Sequence, residues 1–139
     1  MPQLTADSPR VFKANVEPIF TDFPISPLTP AYEGSALSLS SGNARQLNVA
    51  DTTNGFAGFA EESAGTASKT VIRVRSRGIV VLSVTGVSGI GNVNDPVYAT
   101  TGNDFTLTAS GGMQIGKVAR WVSGTTCEVY FEATWLRSI

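Results

Sequence analysis

The chain has no histidine and a single cysteine, Cys127. The first absence removes Ser-His-Asp and Cys-His nucleophile systems and histidine-ligated zinc. The second removes an internal disulfide framework and any thiolate metal site. Charge is scarce too. Asp, Glu, Lys and Arg make up 15% of the 139 residues, against about 25% in an ordinary soluble domain. The formal net charge of −1 supplies no field to draw in nucleic acid or an anionic membrane. No apolar run approaches the ~20 residues of a spanning helix. Met1 to Pro9 lacks the basic start and the apolar run of a signal peptide.

Carboxylate chemistry survives only in principle. Asp51, Glu61, Glu62, Asp95, Asp104, Glu128 and Glu132 are available, but no pair shows a catalytic spacing. Glu61 and Glu62 are neighbours, and neighbouring strand residues point to opposite faces. The expectation is a protein that is not an enzyme and uses no cofactor or metal. Ser, Thr, Asn and Gly take the place of the missing charge. Such a surface suits a protein that meets other proteins, although many secreted β-proteins share it.

Proline is unevenly placed. Pro2, Pro9, Pro18, Pro24, Pro27 and Pro30 crowd the N-terminus, and Pro96 is the only other. Proline removes a backbone donor and fixes φ, so residues 1–30 are expected to form neither a regular helix nor a central strand. Yet this stretch carries Leu4, Val11, Phe12, Ile19, Phe20, Phe23, Ile25 and Leu28, which a disordered tail would lack. The reading is an extended proline-rich arm that lies on a surface, either its own domain or a neighbouring subunit. On the second alternative, Val11, Phe12, Ile19, Phe20, Phe23 and Ile25 are the candidate contacts.

Residues 31–139 read as one all-β domain. Leu37 and Leu39, then Leu47 and Val49, alternate with polar residues around the turn Ser41-Gly42-Asn43. Asn54-Gly55 supplies a second turn, and Phe56 to Ala60 a short buried strand in which Gly58 marks a bulge or close packing. Lys69 to Val84 is the longest strand-rich stretch. Arg73, Arg75 and Arg77 share one face opposite Ile72, Val74 and Ser76, Gly78 interrupts the pattern, and Ile79 to Val84 is apolar on both faces. The three arginines suit a neighbour's carboxylates, or form a solvated face. Further strands follow around Thr101-Gly102-Asn103, Ser110-Gly111-Gly112 and Ser123-Gly124-Thr125. In the last one Val129, Phe131, Ala133 and Trp135 form an apolar stripe, with Trp135 expected in the core. Cys127 is expected to be a small buried residue. Gly89-Ile90-Gly91 precedes no helical pattern and is no nucleotide loop.

The two halves rhyme, residues 34–77 with 94–134. Ser41-Gly42-Asn43 matches Thr101-Gly102-Asn103, Phe56 to Ala60 matches Gln114 to Ala119, and Lys69 to Arg75 matches Thr126 to Glu132. Two β-units packed as one small barrel or sandwich would follow.

Two stretches carry a family resemblance. Arg45 to Ala60, followed by the Ser63 to Val74 loop and strand, resembles the strand–turn–strand of head decoration proteins of lambda-like tailed phages. Asp95-Pro96-Val97-Tyr98, Phe105-Thr106-Leu107 and Gln114-Ile115-Gly116-Lys117-Val118 resemble phage capsid-cement proteins with a G-D-x-V-Y…I-G-x-A pattern, Asn94 replacing the first glycine. The resemblance spans residues 34 to 133. It implies a small β-barrel or β-tulip fold and a homotrimer on the outer capsid surface. An N-terminal arm would contact the major capsid protein. The near-zero net charge leaves no nucleic-acid or membrane partner expected. The rival readings are a phage tail or fibre-base module and a carbohydrate-binding β-domain, for which Tyr98, Tyr130, Trp121 and Trp135 are the candidate aromatics.

Overall fold

The computed structural model describes residues 3–52 and 54–137. Among these it is all-β. The strands are β1 (Phe12–Lys13), β2 (Ile19–Pro24), β3 (Ala36–Ser40), β4 (Asn43–Gln46), β5 (Phe56–Ala60), β6 (Val71–Ser83), β7 (Pro96–Thr101), β8 (Asp104–Thr106), β9 (Met113–Ser123) and β10 (Thr126–Glu132). Short 3-10 turns occupy Ile90–Asn92 and Thr134–Leu136.

The long strand β6 organises the rest. Its first half lies between β2 and β5, because Arg75 stands opposite both Phe20 and Phe59. Its second half lies between β1 and β10, because Val80 stands opposite both Phe12 and Val129. All these pairings are antiparallel. The alternation breaks at Gly78 as expected, with Gly78, Ile79 and Val80 all buried. The strand runs through that residue, which sits where β10 takes over from β5 along one edge.

Two units of the same design meet at β6. One is β4-β3-β5-β6-β2, the other β8-β7-β9-β10-β6. Each curls until its end staves meet at one parallel bridge. Ile25, just after β2, bridges Ala44 of β4, and Thr85, just after β6, bridges Thr106 of β8. The correspondence extends to single residues. Ala36, Leu37 and Ser38 pair with Phe59, Gly58 and Phe56, with a bulge after Leu37. Pro96, Val97 and Tyr98 pair with Lys117, Gly116 and Gln114, with a bulge after Val97. Gly34 donates its N–H to Ala60 and Asn94 to Val118, while Ser35 accepts from Ala60 and Asp95 from Val118. Gly34 and Asn94 hold φ of +92° and +79°, a region open to glycine and tolerated by asparagine.

The first unit encloses Ile25, Ala31, Leu37, Leu39, Ala44, Ala57, Ala60, Ala64, Ile72 and Val74. Half of these are alanine, as a narrow cylinder of few staves requires. The second cluster is bulkier. It holds Val80, Leu82, Val84, Val97, Phe105, Ile115, Cys127, Val129 and Phe131, and it is continuous with Ala36, Leu47, Phe56 and Phe59 of the first unit. Phe59 and Phe131 meet edge to face at 4.9 Å between centroids, a favourable aromatic geometry.

Three expectations need correcting. Residues 19–24, inside the stretch expected to be an extended arm without a central strand, form β2, a stave of the first unit that seals an edge of β6 whose backbone groups need partners. Pro18 and Pro24 bracket that strand and do not interrupt it. The strand expected through Leu47 and Val49 ends at Gln46, where the chain enters a turn and leaves Val49 37% exposed. Trp135 is half exposed, because the chain leaves β10 at Glu132 and its 3-10 turn swings the ring out of the stripe.

Candidate interaction surfaces

The N-terminal segment first ties the two units together. The Gln3 amide donates to the Leu47 carbonyl at 2.9 Å and accepts from the Gly102 N–H at 2.5 Å. Leu4 and Gln46 exchange two hydrogen bonds, at 3.0 and 2.9 Å. The Arg10 guanidinium donates to the Gly34 carbonyl and to Asn103 Oδ1, both at 2.7 Å, and lies over the Phe105 ring. Burial pushes Arg10 below the usual arginine range. Gln3 and Arg10 thus each touch one unit with one donor and the β7–β8 turn with another group.

The candidate contacts are then distributed unevenly. Ile25 is 2% exposed inside the first unit. Phe23 packs against the same interior. The Phe12 ring joins the aromatic cluster, 6.3 Å from Phe59 and 6.2 Å from Phe131. Ile25 and Phe12 are used by their own chain, so in this conformation they offer a partner little, whereas part of the Phe23 ring stays at the surface. Ile19 is half-buried. Val11 is 60% exposed and Phe20 38%.

The arginine row is neither a bare solvated face nor a free set of cations. Phe20 lies across Arg73 and Arg75, at 4.8 and 4.9 Å from the guanidinium carbons. Arg75 also stacks on Phe12 at 4.0 Å and pairs with Glu61 at 3.3 Å. Cation–π contact of this kind holds a strand down without a dedicated apolar pocket. Arg77 donates to the Tyr130 hydroxyl at 3.1 Å, and that hydroxyl donates to Glu132 at 2.9 Å. Burial, and then the bond to Glu132, push the Tyr130 phenol up. The outward surface left by these contacts is Val11, Phe20 and Arg73.

A second surface escaped the sequence reading. Thr21, Phe23, Leu39, Asn54, Thr134 and Trp135 line an apolar hollow of about 510 Å³. Its wall is rigid. The Phe56 N–H donates to Thr134 Oγ1 at 3.0 Å, and the Arg137 guanidinium reaches the carbonyls of Glu132 and Gln114. On its other side the turn carrying Asn54 is held by Asp51. That carboxylate accepts from Ser38 Oγ at 2.5 Å and from Arg45 Nε at 2.8 Å and a second Arg45 nitrogen at 2.5 Å. The Arg45 guanidinium beside Asp51 holds its carboxyl below the usual carboxylate range. The sequence signal missed here was the end of the β10 alternation at Ala133. A stripe that continues past the strand no longer reports burial. Cys127 lies buried as expected, and burial pushes its thiol up to about 11.

No protein-family model matches the chain, and no curated protein matches it. A solved structure does, a chain of the capsid of Myoviridae phage XM1. The identity is 18%, the match covers 95% of this chain and 94% of that one, and the TM-score is 0.62. At that identity the likeness is one of fold, and it extends over nearly the whole of both chains.

Proposed function

We propose that the chain is a structural protein of a phage virion that sits on the outer surface of the head and stabilises the shell by bridging neighbouring copies of the major capsid protein. The observation that carries this reading is the fold likeness to a capsid chain over nearly its full length. The decoration-protein resemblance of residues 34 to 133 supports the finer role. No catalysis is required. A protein that binds the assembled lattice and not free subunits favours the lattice by mass action. A homotrimer, as the resemblance implies, would add avidity by engaging several subunits at once.

The contact surface follows from what the fold leaves outward. Phe20 and Arg73 lie together where β2 runs along β6, and Val11 lies further along that strand beside Val81. An exposed aromatic beside an arginine is a common composition for an anchor at a protein interface. Sedimentation with an expanded capsid lattice tests the reading. Co-sedimentation that Phe20→Ala combined with Arg73→Ala weakens is the expected result, and full-length protein that stays in the supernatant contradicts it. One observation favours a carbohydrate-binding module instead, the half-exposed Trp135 beside Asn54 and Thr134. Binding to glycans in the absence of capsid would support that second reading.

A further inference from the structure

The hollow beside Trp135 does not end at Asn54. A second hollow of about 300 Å³, lined by Ser40, Ser41, Ala50 and Asp51, shares Leu39 and Asn54 with it. The two form one cleft of mixed character. Phe23 and Leu39 pack on their own core and supply only its apolar floor. Trp135 is the ring left over. It is half exposed, and its indole N–H bonds no described residue. The side chains of Asn54, Ser40 and Ser41 are equally unused among the described residues. These groups stand on fixed turns. Asp51 is held by Arg45 and Ser38, and the Leu39 N–H donates to the Gly55 carbonyl at 3.0 Å. Little ordering is therefore left for a ligand to impose.

This chemistry narrows the ligand. The cleft holds no cation, and its one carboxylate, Asp51, is already met by Arg45, so nothing in it draws a phosphate or a carboxylate. A wholly apolar ligand would bury the Asn54 amide and the serine hydroxyls without bonding them, which costs free energy. A ligand with an apolar face and hydroxyls around its edge meets both halves. A pyranose ring has that form. Its C–H face lies on an indole, and its hydroxyls reach amides and other hydroxyls.

We propose that the cleft running from Trp135 across Asn54 to Ser40 and Ser41 binds a neutral saccharide, with Trp135 as the stacking platform. The inference rests on the carbohydrate reading above and gives it a site. It does not compete with attachment to a capsid. Alternation along β2 sets Phe20 on the face opposite Thr21 and Phe23, so a contact made through Phe20 does not use the cleft.

Titration of the full chain with maltohexaose, cellohexaose and chitohexaose tests it. In a Trp121→Phe background Trp135 is the only indole, and at least one of these probes is expected to move its emission to shorter wavelength. By calorimetry Trp135→Ala is expected to weaken that binding at least about tenfold, with an unchanged circular dichroism spectrum. Trp135→Phe keeps a stacking face and is expected to retain most of the affinity. Binding that Trp135→Ala leaves intact overturns this cleft but leaves the carbohydrate reading standing. A chain that binds none of the three probes at millimolar concentration overturns both. If that chain also loses co-sedimentation with capsid on Trp135→Ala, the cleft is a protein contact instead.

Discussion

The two units share strand order and register but are finished differently. The first closes around alanines and takes its outermost stave, β2, from the proline-rich N-terminus. The second closes around larger side chains, and its corresponding stave is the back half of β6, which the first unit already holds in place. Their hairpin turns diverge as well. The Gly102 N–H of the β7–β8 turn donates to Gln3, and its carbonyl accepts from the Ala36 N–H. The counterpart turn, Ser41-Gly42-Asn43, projects freely with φ of +51° and +86° at Ser41 and Gly42. Pro96 stands where Ala36 stands in the first unit, and proline has no N–H to offer such a turn. A repeated pattern thus sets strand order twice. Residues outside the repeat, from Gln3 to Ile25, decide which unit is sealed and which turn is left outward.

The largest effect should come from removing that outside segment. Deletion of residues 1–25 takes Phe23 and Ile25 from the first unit, each worth about 1.5–3 kcal/mol of burial, and strips the edge of β6. The truncated chain is expected to lose its cooperative thermal transition, followed by circular dichroism. A sharp transition near that of the full chain would make the segment an accessory.

The equivalent glycines come next. A side chain at Gly58 would strike the Arg75 carbonyl, and one at Gly116 the Tyr130 carbonyl. Gly58→Ala and Gly116→Ala should each cost about 3 kcal/mol in chemical denaturation, as overpacking against backbone does. Gly42→Ala meets no neighbour and is limited to the strain of positive φ, about 1 kcal/mol. Clearly unequal losses at Gly58 and Gly116 would dissolve the equivalence of the units.

Asp51→Asn should cost about 2 kcal/mol, because a buried carboxylate loses charge while Arg45 and Ser38 stay in place. Its pH signature is directional. The folded Asp51 titrates below its unfolded value, so its contribution is complete above the ordinary carboxylate range. It fades as pH falls through the lowered folded value. Melts across an acid series should therefore show a smaller acid-side slope in the variant than in the parent.

A change as small as that at Gly42 is expected for Arg75→Gln, about 1 kcal/mol, from the loss of stacking on Phe12 and Phe20 and of the Glu61 pair. A loss of several kcal/mol would mean that the row anchors more than β1 and β2.

Much of the strand map was legible because alternation and turn chemistry agree locally. Ser41-Gly42-Asn43, Phe56 to Ala60 and Thr126 to Glu132 needed nothing distant to be read. The role of residues 1–30 was not legible, because proline content reports what a segment cannot do alone and not which strand edge awaits it. Ile19 to Pro24 becomes a strand only because β6 presents unpaired donors and acceptors along its length. The surface was harder still. Arg75 alternates outward in sequence, yet Phe12 and Phe20 arrive over it from more than fifty positions away. Trp135 owes its exposure to a 3-10 turn, a feature with no hydrophobic period.

Native-state hydrogen exchange bears most directly on the claim that the N-terminal segment is a stave of the first unit. The amides that pair β2 with β6 are expected to exchange as slowly as those that pair β6 with β10, through unfolding of the whole chain. Exchange at β2 orders of magnitude faster, while β10 stays protected, would show a segment that detaches from a folded domain and would contradict the account.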